Sequence, residues 1–164
     1  MRAMYPGSFD PVHLGHLDVM ERAAHLFSEV GVIVFTNAKK SSLFSANERL
    51  ALLATAVSHL PNVKVYAADG LAVQFAKDHG FAVMIRGLRA VLDYDYEMQM
   101  ALTNRQLEPH VETLFFLTSQ QHAHLSSSLI KELASHGASL KGFVPPPVEI
   151  ALRQKYRSGG SANP

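Results

Sequence analysis

Short apolar runs recur along the chain at residues 2–5, 30–36, 63–67, 82–85 and 113–117. Each is too short for a helix and mostly apolar, as strands buried on both faces are. Between them the apolar spacing turns helical, over residues 17–27, 47–57, 71–79, 93–107 and 127–135. The second helix has a defined start, because Ser45-Ala46-Asn47-Glu48 fits a capping box in which hydroxyl and carboxylate each satisfy a backbone amide. Strict β-α alternation predicts an α/β fold built on a doubly wound, five-stranded parallel sheet. Such a sheet has right-handed crossovers and gathers ligands at the C-terminal ends of its strands.

The residues able to do chemistry follow strands, as that rule requires: residues 5–16 after the first, 37–40 after the second, 86–89 after the fourth and 118–128 after the fifth. Pro145-Pro146-Pro147 is expected to break the chain before a short last helix over 148–156. The small and polar residues 158–164 read as a disordered tail, leaving 1–157 as a single domain.

Composition narrows the class. A chain of 164 residues that is 48% hydrophobic and 18% charged has the material for one well-filled core and too little charge for disorder. A formal net charge of +1 without a Lys/Arg run argues against a nucleic-acid partner, so any anionic ligand must be met locally. The absence of cysteine removes disulfides, thiolate metal sites and a thiol nucleophile. No apolar core of a signal peptide and no bilayer-length run is found, so no membrane partner and a cytoplasmic location are expected.

Pro6-Gly7 makes a turn directly after the first strand, Gly7 lacks the side chain that would keep a ligand away from the backbone amides, and the next helix begins near His13-Leu14-Gly15-His16. Helix amides and the positive end of the dipole face the same space, and His13 and His16 project from one face of the first turn. Two imidazoles and a helix N-terminus suit the charge that builds on phosphorus under attack. Read alone, the segment is also compatible with a structural turn, or with a metal held by the two histidines and Asp10. Arg86-Gly87-Leu88-Arg89 places two guanidinium groups about a glycine at a strand end, each able to fork onto phosphate or to remain an ordinary surface arginine. Ser126-Ser127-Ser128 before a helix is either an anion site or a set of helix caps. Asp93 and Asp95 suit a helix N-terminus. His25, His59, His79, His110 and His136 belong to no motif and read as surface residues.

Together, Tyr5 to Pro11, His13-Leu14-Gly15-His16, Ile85 to Ala90, Asp93 to Met98, Asn104-Arg105 and Ser126 to Ser128 resemble the phosphopantetheine adenylyltransferases of bacterial coenzyme A synthesis. The first and last motifs are shared with other nucleotidyltransferases, including those acting on nicotinate mononucleotide. The resemblance implies a Rossmann-like nucleotidyltransferase fold and the reaction of ATP with 4'-phosphopantetheine to give dephospho-coenzyme A and pyrophosphate. It further implies Mg2+ held through the ATP phosphates without protein ligands, coenzyme A as feedback inhibitor, and a homohexamer. By matching positions it implies that ATP is met by Ser8, Phe9, His16, Gly87, Leu88, Arg89, Glu97, His122, Ala123, His124, Leu125, Ser126, Ser127 and Ser128. Ser8, Lys40, Ala72 and Arg86 match positions that hold phosphopantetheine. His16, Lys40 and Arg89 are the expected catalytic residues. Three positions depart from the family pattern: Ser8 stands where threonine is frequent, Ala38 where proline is frequent and His122 where an aromatic residue is frequent.

Overall fold

The computed structural model describes residues 1–36, 41–89 and 91–159, with backbone alone at 91–93 and 158–159. Five strands, β1 (Arg2–Gly7), β2 (Glu29–Phe35), β3 (Val63–Ala68), β4 (Val83–Leu88) and β5 (Glu112–Leu117), form one sheet in the order β3-β2-β1-β4-β5. Every pair is parallel. The helices are α1 (Leu14–Leu26), α2 (Ala46–Ala56), α3 (Ala72–Asp78), α4 (Val91–Leu107), α5 (Ser127–Ser135) and α6 (Pro146–Gly159), with one 3-10 turn at Gln120–His122. The expected α/β class, strand number and parallel pairing are all present.

Alternation along the strands sorts side chains into two cores. Ala3, Tyr5, Val30, Val32, Val34, Val83 and Ile85 face one way, against Val19, Met20 and Ala23 of α1, Leu53 of α2, Ile130 of α5 and Leu152 of α6. Met4, Ile33 and Met84 face the other way, against Val73 and Ala76 of α3, Phe81 and Val111. The Asn104 amide of α4 reaches Met84 Sδ at 3.7 Å, placing α4 on this second face. Each apolar side chain buried this way contributes about 1.5–3 kcal/mol, which fixes register because a one-residue slip would exchange the two faces.

The sheet is not uniformly paired. β1 and β2 pair through six residues, Arg2↔Glu29 to Gly7↔Val34, and β4 and β5 through six, Val83↔Glu112 to Leu88↔Leu117. β1 and β4 pair only at Ala3↔Val83 and Met4↔Met84, then diverge. This is also where the strand order reverses, the switch point at which open α/β sheets open a crevice.

Two expectations need correction. The fourth strand does not stop at Ile85, because Arg86, Gly87 and Leu88 keep their ladder with Phe115, Phe116 and Leu117 even though they have left β1. The proline run does not precede the last helix: Pro146 and Pro147 lie in its first turn, where a missing N–H costs nothing. The expected tail overlaps α6 as far as Gly159, and residues 160–164 lie outside the described residues. The capping box is present, with Glu48 N–H on Ser45 Oγ at 3.3 Å and Ser45 N–H on Glu48 Oε2 at 2.7 Å.

Gly31 of β2 lies under the Phe81 ring, and a Cβ there would stand 2.6 Å from Phe81 Cζ. Gly31→Ala should therefore destabilise the fold by about 1–3 kcal/mol through overpacking. Urea denaturation would read this as a lower midpoint at unchanged slope, and an unshifted midpoint would refute it.

Candidate active site

The turn leaving β1 is built around Phe9, a bulky residue at φ +46°, a backbone conformation that costs about 1–3 kcal/mol. Its buried ring offsets that cost by packing edge-on against Tyr5 (centroids 5.4 Å apart) and His16 (5.0 Å). The same ring explains Gly7, since a Cβ there would lie 2.8 Å from Phe9 Cζ. Closeness to a ligand is thus not the sole reason for a glycine. The turn is braced from outside: Arg49 of α2 donates to the Ser8 carbonyl at 2.9 Å, and Ser127 Oγ donates to the Pro11 carbonyl at 2.9 Å. Asp10, buried, accepts the amides of Leu43 and Phe44, each at 2.9 Å, and the Lys131 ammonium at 3.2 Å. All three are bonds of the fold, so Asp10 is not a spare carboxylate.

His13 is the N-cap of α1 and His16 stands one turn in, their rings stacked at 3.7 Å between centroids. The His13 amide donates to His16 Nδ1 at 3.3 Å, which makes Nδ1 the acceptor and puts the proton of neutral His16 on Nε2. Burial, the neighbouring imidazole and Arg89 hold the His16 pKa well below the usual histidine value. Burial first, then Arg89 and His122, bring His13 down to about 3. Both rings are therefore neutral near pH 7, and His16 is a hydrogen-bond donor rather than a cation.

Across the split, Arg86 and Glu97 of α4 form a bidentate pair, Nε to Oε2 at 2.6 Å and Nη2 to Oε1 at 2.7 Å. Arg86 Nη1 reaches back over the gap to the Pro6 carbonyl at 3.3 Å, replacing the ladder partner that β4 no longer supplies. Burial disfavours the Arg86 charge, but the Glu97 carboxylate outweighs it and the pKa is raised. Arg89 donates to the Leu125 carbonyl at 3.3 Å. Tyr5 is pushed up to about 12, chiefly by burial, and keeps its phenolic proton. Ser126 caps α5 by accepting the Leu129 amide at 3.1 Å. The cap reading and the anion reading of the serines coexist, because the same first turn opens toward solvent-filled space.

That space is two adjoining cavities. The first, about 420 Å³, is lined by Tyr5 to Phe9, His13, Gly15, His16, Arg86, Gly87, Arg89, Glu97, Thr118 and Ser126 to Ser128. The second, about 540 Å³ and more apolar, is lined by Phe35, Thr36, Gly70 to Ala72, Met84, Tyr96, Met100, Ala101, Asn104 and Thr113. They share Pro6, Gly7, Ser8, Arg86 and Glu97.

The structure thus gathers Ser8, Phe9, His16, Arg86, Gly87, Arg89, Glu97 and the three serines around one cavity, and Ala72 beside the other. Leu88, His122, Ala123, His124 and Leu125 do not line either one; the Leu125 side chain is in the core and His124 packs edge-on to Phe143. Lys40 lies outside the described residues. His25, His59, His79, His110 and His136 are exposed. Arg49 was not singled out by the sequence, Tyr5 and Thr118 entered only as members of the segments that follow strands, and Asp10 was read as a possible metal ligand rather than as a brace. Tyr5 had a usable signal, a polar-tipped residue at the end of a strand whose neighbours are apolar, whereas the others depend on contacts distant in sequence. Asp18 is a further brace: its carboxylate accepts the Ser119 hydroxyl and, at 3.1 Å, the Ser119 amide, holding the chain after β5 onto α1.

Among the described residues no group of three or more His, Asp or Glu converges to hold a metal ion, and no helix is long and apolar enough to cross a membrane. Residues 4–133 match the Cytidylyltransferase-like family, and with the switch-point cavity this defines a nucleotidyltransferase domain. A phosphopantetheine adenylyltransferase of Symbiobacterium thermophilum is 51% identical over 95% of this chain and 96% of its own length. Those of Lachnoclostridium phytofermentans and Desulforudis audaxviator are each 48% identical, over 93% and 96% of this chain and 94% and 97% of their own lengths. The chain belongs to the phosphopantetheine adenylyltransferase family.

The depressed histidines tie stability to pH. Unfolded histidine titrates near pH 6.5, so below that the unfolded chain takes up protons that folded His13 refuses until about pH 3. The stability that neutral His13 contributes is full above about pH 6.5 and is lost as pH falls, at up to about 1.4 kcal/mol per pH unit. Urea denaturation from pH 7.5 to 5.5 should give a shallower dependence for His13→Gln, by about half a proton averaged over the window and close to one at its acid end, whatever its absolute stability. An equal slope would contradict the assignment.

Proposed function

We propose that the chain transfers the adenylyl group of ATP to 4'-phosphopantetheine, giving dephospho-coenzyme A and pyrophosphate, with ATP beside His16 and the acceptor beside Ala72. The observation that carries this reading is the meeting of a polar cavity and a larger, more apolar one at Ser8, Arg86 and Glu97. The first offers helix N-termini, neutral imidazole and arginine to a polyphosphate. The second offers Phe35, Leu71, Met84 and Met100 to an aliphatic amide arm and Asn104 and Thr113 to its polar groups. Family membership points the same way.

The acceptor phosphate is already anionic, so its oxygen attacks the α-phosphorus directly and the bond to the β-phosphate oxygen breaks. Neither a strong base nor an enzyme nucleophile is needed. His16 donates its Nε2 proton as a hydrogen bond to the α-phosphate, and neutrality allows this without a competing proton transfer at pH 7. Arg89 and Lys40 balance charge on the phosphates. Arg86, held by Glu97 and Pro6, presents a fixed guanidinium to the acceptor phosphate, which limits the reorganisation needed on binding. The remaining ATP contacts proposed are those of Ser8, Phe9, Gly87 to Arg89, Glu97 and the segment His122 to Ser128. Mg2+ carried on the ATP phosphates would neutralise part of their charge. The side-chain pattern fits that arrangement, because Asp10, Asp18 and Glu97 are already engaged by donors of the fold.

The same reading places the enzyme in the cytoplasm with ATP, makes coenzyme A a feedback inhibitor able to occupy both cavities, and makes the chain a homohexamer. Support for assembly comes from the exposed apolar side chains of α4 and the edge strand β5, Tyr94 (47%), Leu102 (59%), Leu114 (41%) and Leu117 (71%).

Pyrophosphate release should be rapid with 4'-phosphopantetheine and negligible with nicotinate mononucleotide, and the reverse preference would overturn the acceptor assignment. His16→Ala should lower kcat by about 100-fold to 1000-fold with a smaller change in the KM for ATP, since the lost bond is strongest in the transition state. Light scattering of the purified chain should give six copies, and a monomer would refute the assembly.

A further inference from the structure

Asp10 and Pro11 sit just ahead of His13, the N-cap of α1, and each is bonded to α5. Lys131 Nζ meets Asp10 Oδ2 at 3.2 Å and Ser127 Oγ meets the Pro11 carbonyl at 2.9 Å. Ser127 and Lys131 are four residues apart and so share one face of α5. The first turn of α1, with His13, Gly15 and His16, and the first turn of α5, with Ser126 to Ser128, line the same polar cavity. Neither Asp10 nor Lys131 lines it.

We propose that Asp10 and Lys131 are positioning residues that lock the N-termini of α1 and α5 into one rigid clamp for the phosphates of the nucleotide. Two helix ends favour an anion most when their separation is fixed beforehand, because displacement of a binding group by about 1 Å is enough to cost on the order of 100-fold. Ile130 anchors α5 in the core, the Ser127 bond is one polar tie between its first turn and the turn before α1, and the Asp10–Lys131 pair supplies a second one turn further along. The pair has an electrostatic duty as well. Asp10 is a buried carboxylate at the positive end of α1, close to where anions bind, and Lys131 cancels its field there. Its side chain is 8% exposed against 29% for Lys131, so the carboxylate has no water to take over if the ammonium is removed. The Leu43 and Phe44 amides on the same carboxylate extend the lock to the chain entering α2.

The proposal rests on the reading that this cavity holds nucleotide phosphates, and inorganic pyrophosphate is a probe of the clamp that does not depend on the acceptor. Calorimetric titration with pyrophosphate should show Kd raised about 10-fold in Lys131→Met and restored to within about 3-fold in Lys131→Arg, which keeps the cation. Asp10→Asn breaks the lock from the other side, because a neutral amide offers the Lys131 ammonium no counter-charge. Adding Lys131→Met to Asp10→Asn should cost little more, since both remove one interaction. A Lys131→Met protein that binds pyrophosphate as the wild type does, or strictly additive losses in the double variant, would overturn the clamp even if thermal midpoints fall. Wild-type turnover on 4'-phosphopantetheine is scored separately. Its absence alongside a Lys131-dependent pyrophosphate Kd would refute the acceptor and leave the clamp standing.

Discussion

The parting of β1 from β4 after Met4 and Met84 is the constraint on which the rest depends. Had the ladder continued, the Pro6 carbonyl would be spent on a neighbouring strand and the side chains of Tyr5 and Arg86 would stand in a closed sheet. Instead each strand keeps its outer partner, β2 for β1 and β5 for β4, so the two remain ordered while the space between them opens. Arg86 spans the opening to Pro6, and Phe9 fills its floor over Gly7. The crevice is therefore lined by strand ends that are rigid for reasons unrelated to the ligand, a good foundation for groups that must not reorganise during a reaction.

The electrostatics follow from that rigidity. The chain as a whole is close to neutral, at +1, so the field in the crevice is a local construction. Carboxylates are not kept away from it; each is committed. Asp10 is taken by two amides and Lys131, Asp18 by Ser119 and Arg22, Glu97 by Arg86. The histidines are held neutral by burial, so they add directed N–H dipoles without adding charge that would change with pH. What faces an incoming anion is the set of helix ends, Arg86 with its counter-charge fixed on Glu97, and Arg89 held on the Leu125 carbonyl.

Most of the architecture was legible because it is local. β-α alternation, the apolar runs and the Ser45–Glu48 capping box depend on residues near in sequence, and the elements appear within a few residues of where the pattern puts them. The site was legible as types of residue at strand ends, His16, Arg86, Arg89 and Ser126 to Ser128, now found around one cavity. What sequence left hidden depends on distant partners. Arg86 to Leu88 look like a turn because Gly87 is a poor strand former and charged Arg86 ends the apolar run, yet pairing with β5, about thirty residues on, keeps them extended. Asp10 looked like a spare acid because Leu43, Phe44 and Lys131 lie 33, 34 and 121 residues away. The Gly7 pattern suggested room for a ligand, and the nearest occupant is Phe9 of its own turn.

The two faces of the sheet also sort the two proposed substrates. The polar cavity carries Tyr5 and Phe9, members of the core shared with α1, α2, α5 and α6. The more apolar cavity carries Met84, Ala72 and Phe35, which belong to the core on the α3 side. A continuous parallel sheet would keep those faces separate, because its hydrogen-bonded ladder leaves no gap between neighbouring strands. The split between β1 and β4 removes the barrier at one point, and the residues common to both cavities, Pro6 to Ser8 with Arg86 and Glu97, are those at its edges. Under the proposed reaction a nucleotide and an acceptor entering from opposite faces can meet only there, so in-line geometry is imposed by topology before any side chain acts. This separates the tasks of the motifs. On that reading the His13 to His16 turn and the serines serve the nucleotide and are silent on the acceptor, whereas α3 and α4, which border the other cavity, would decide acceptor identity.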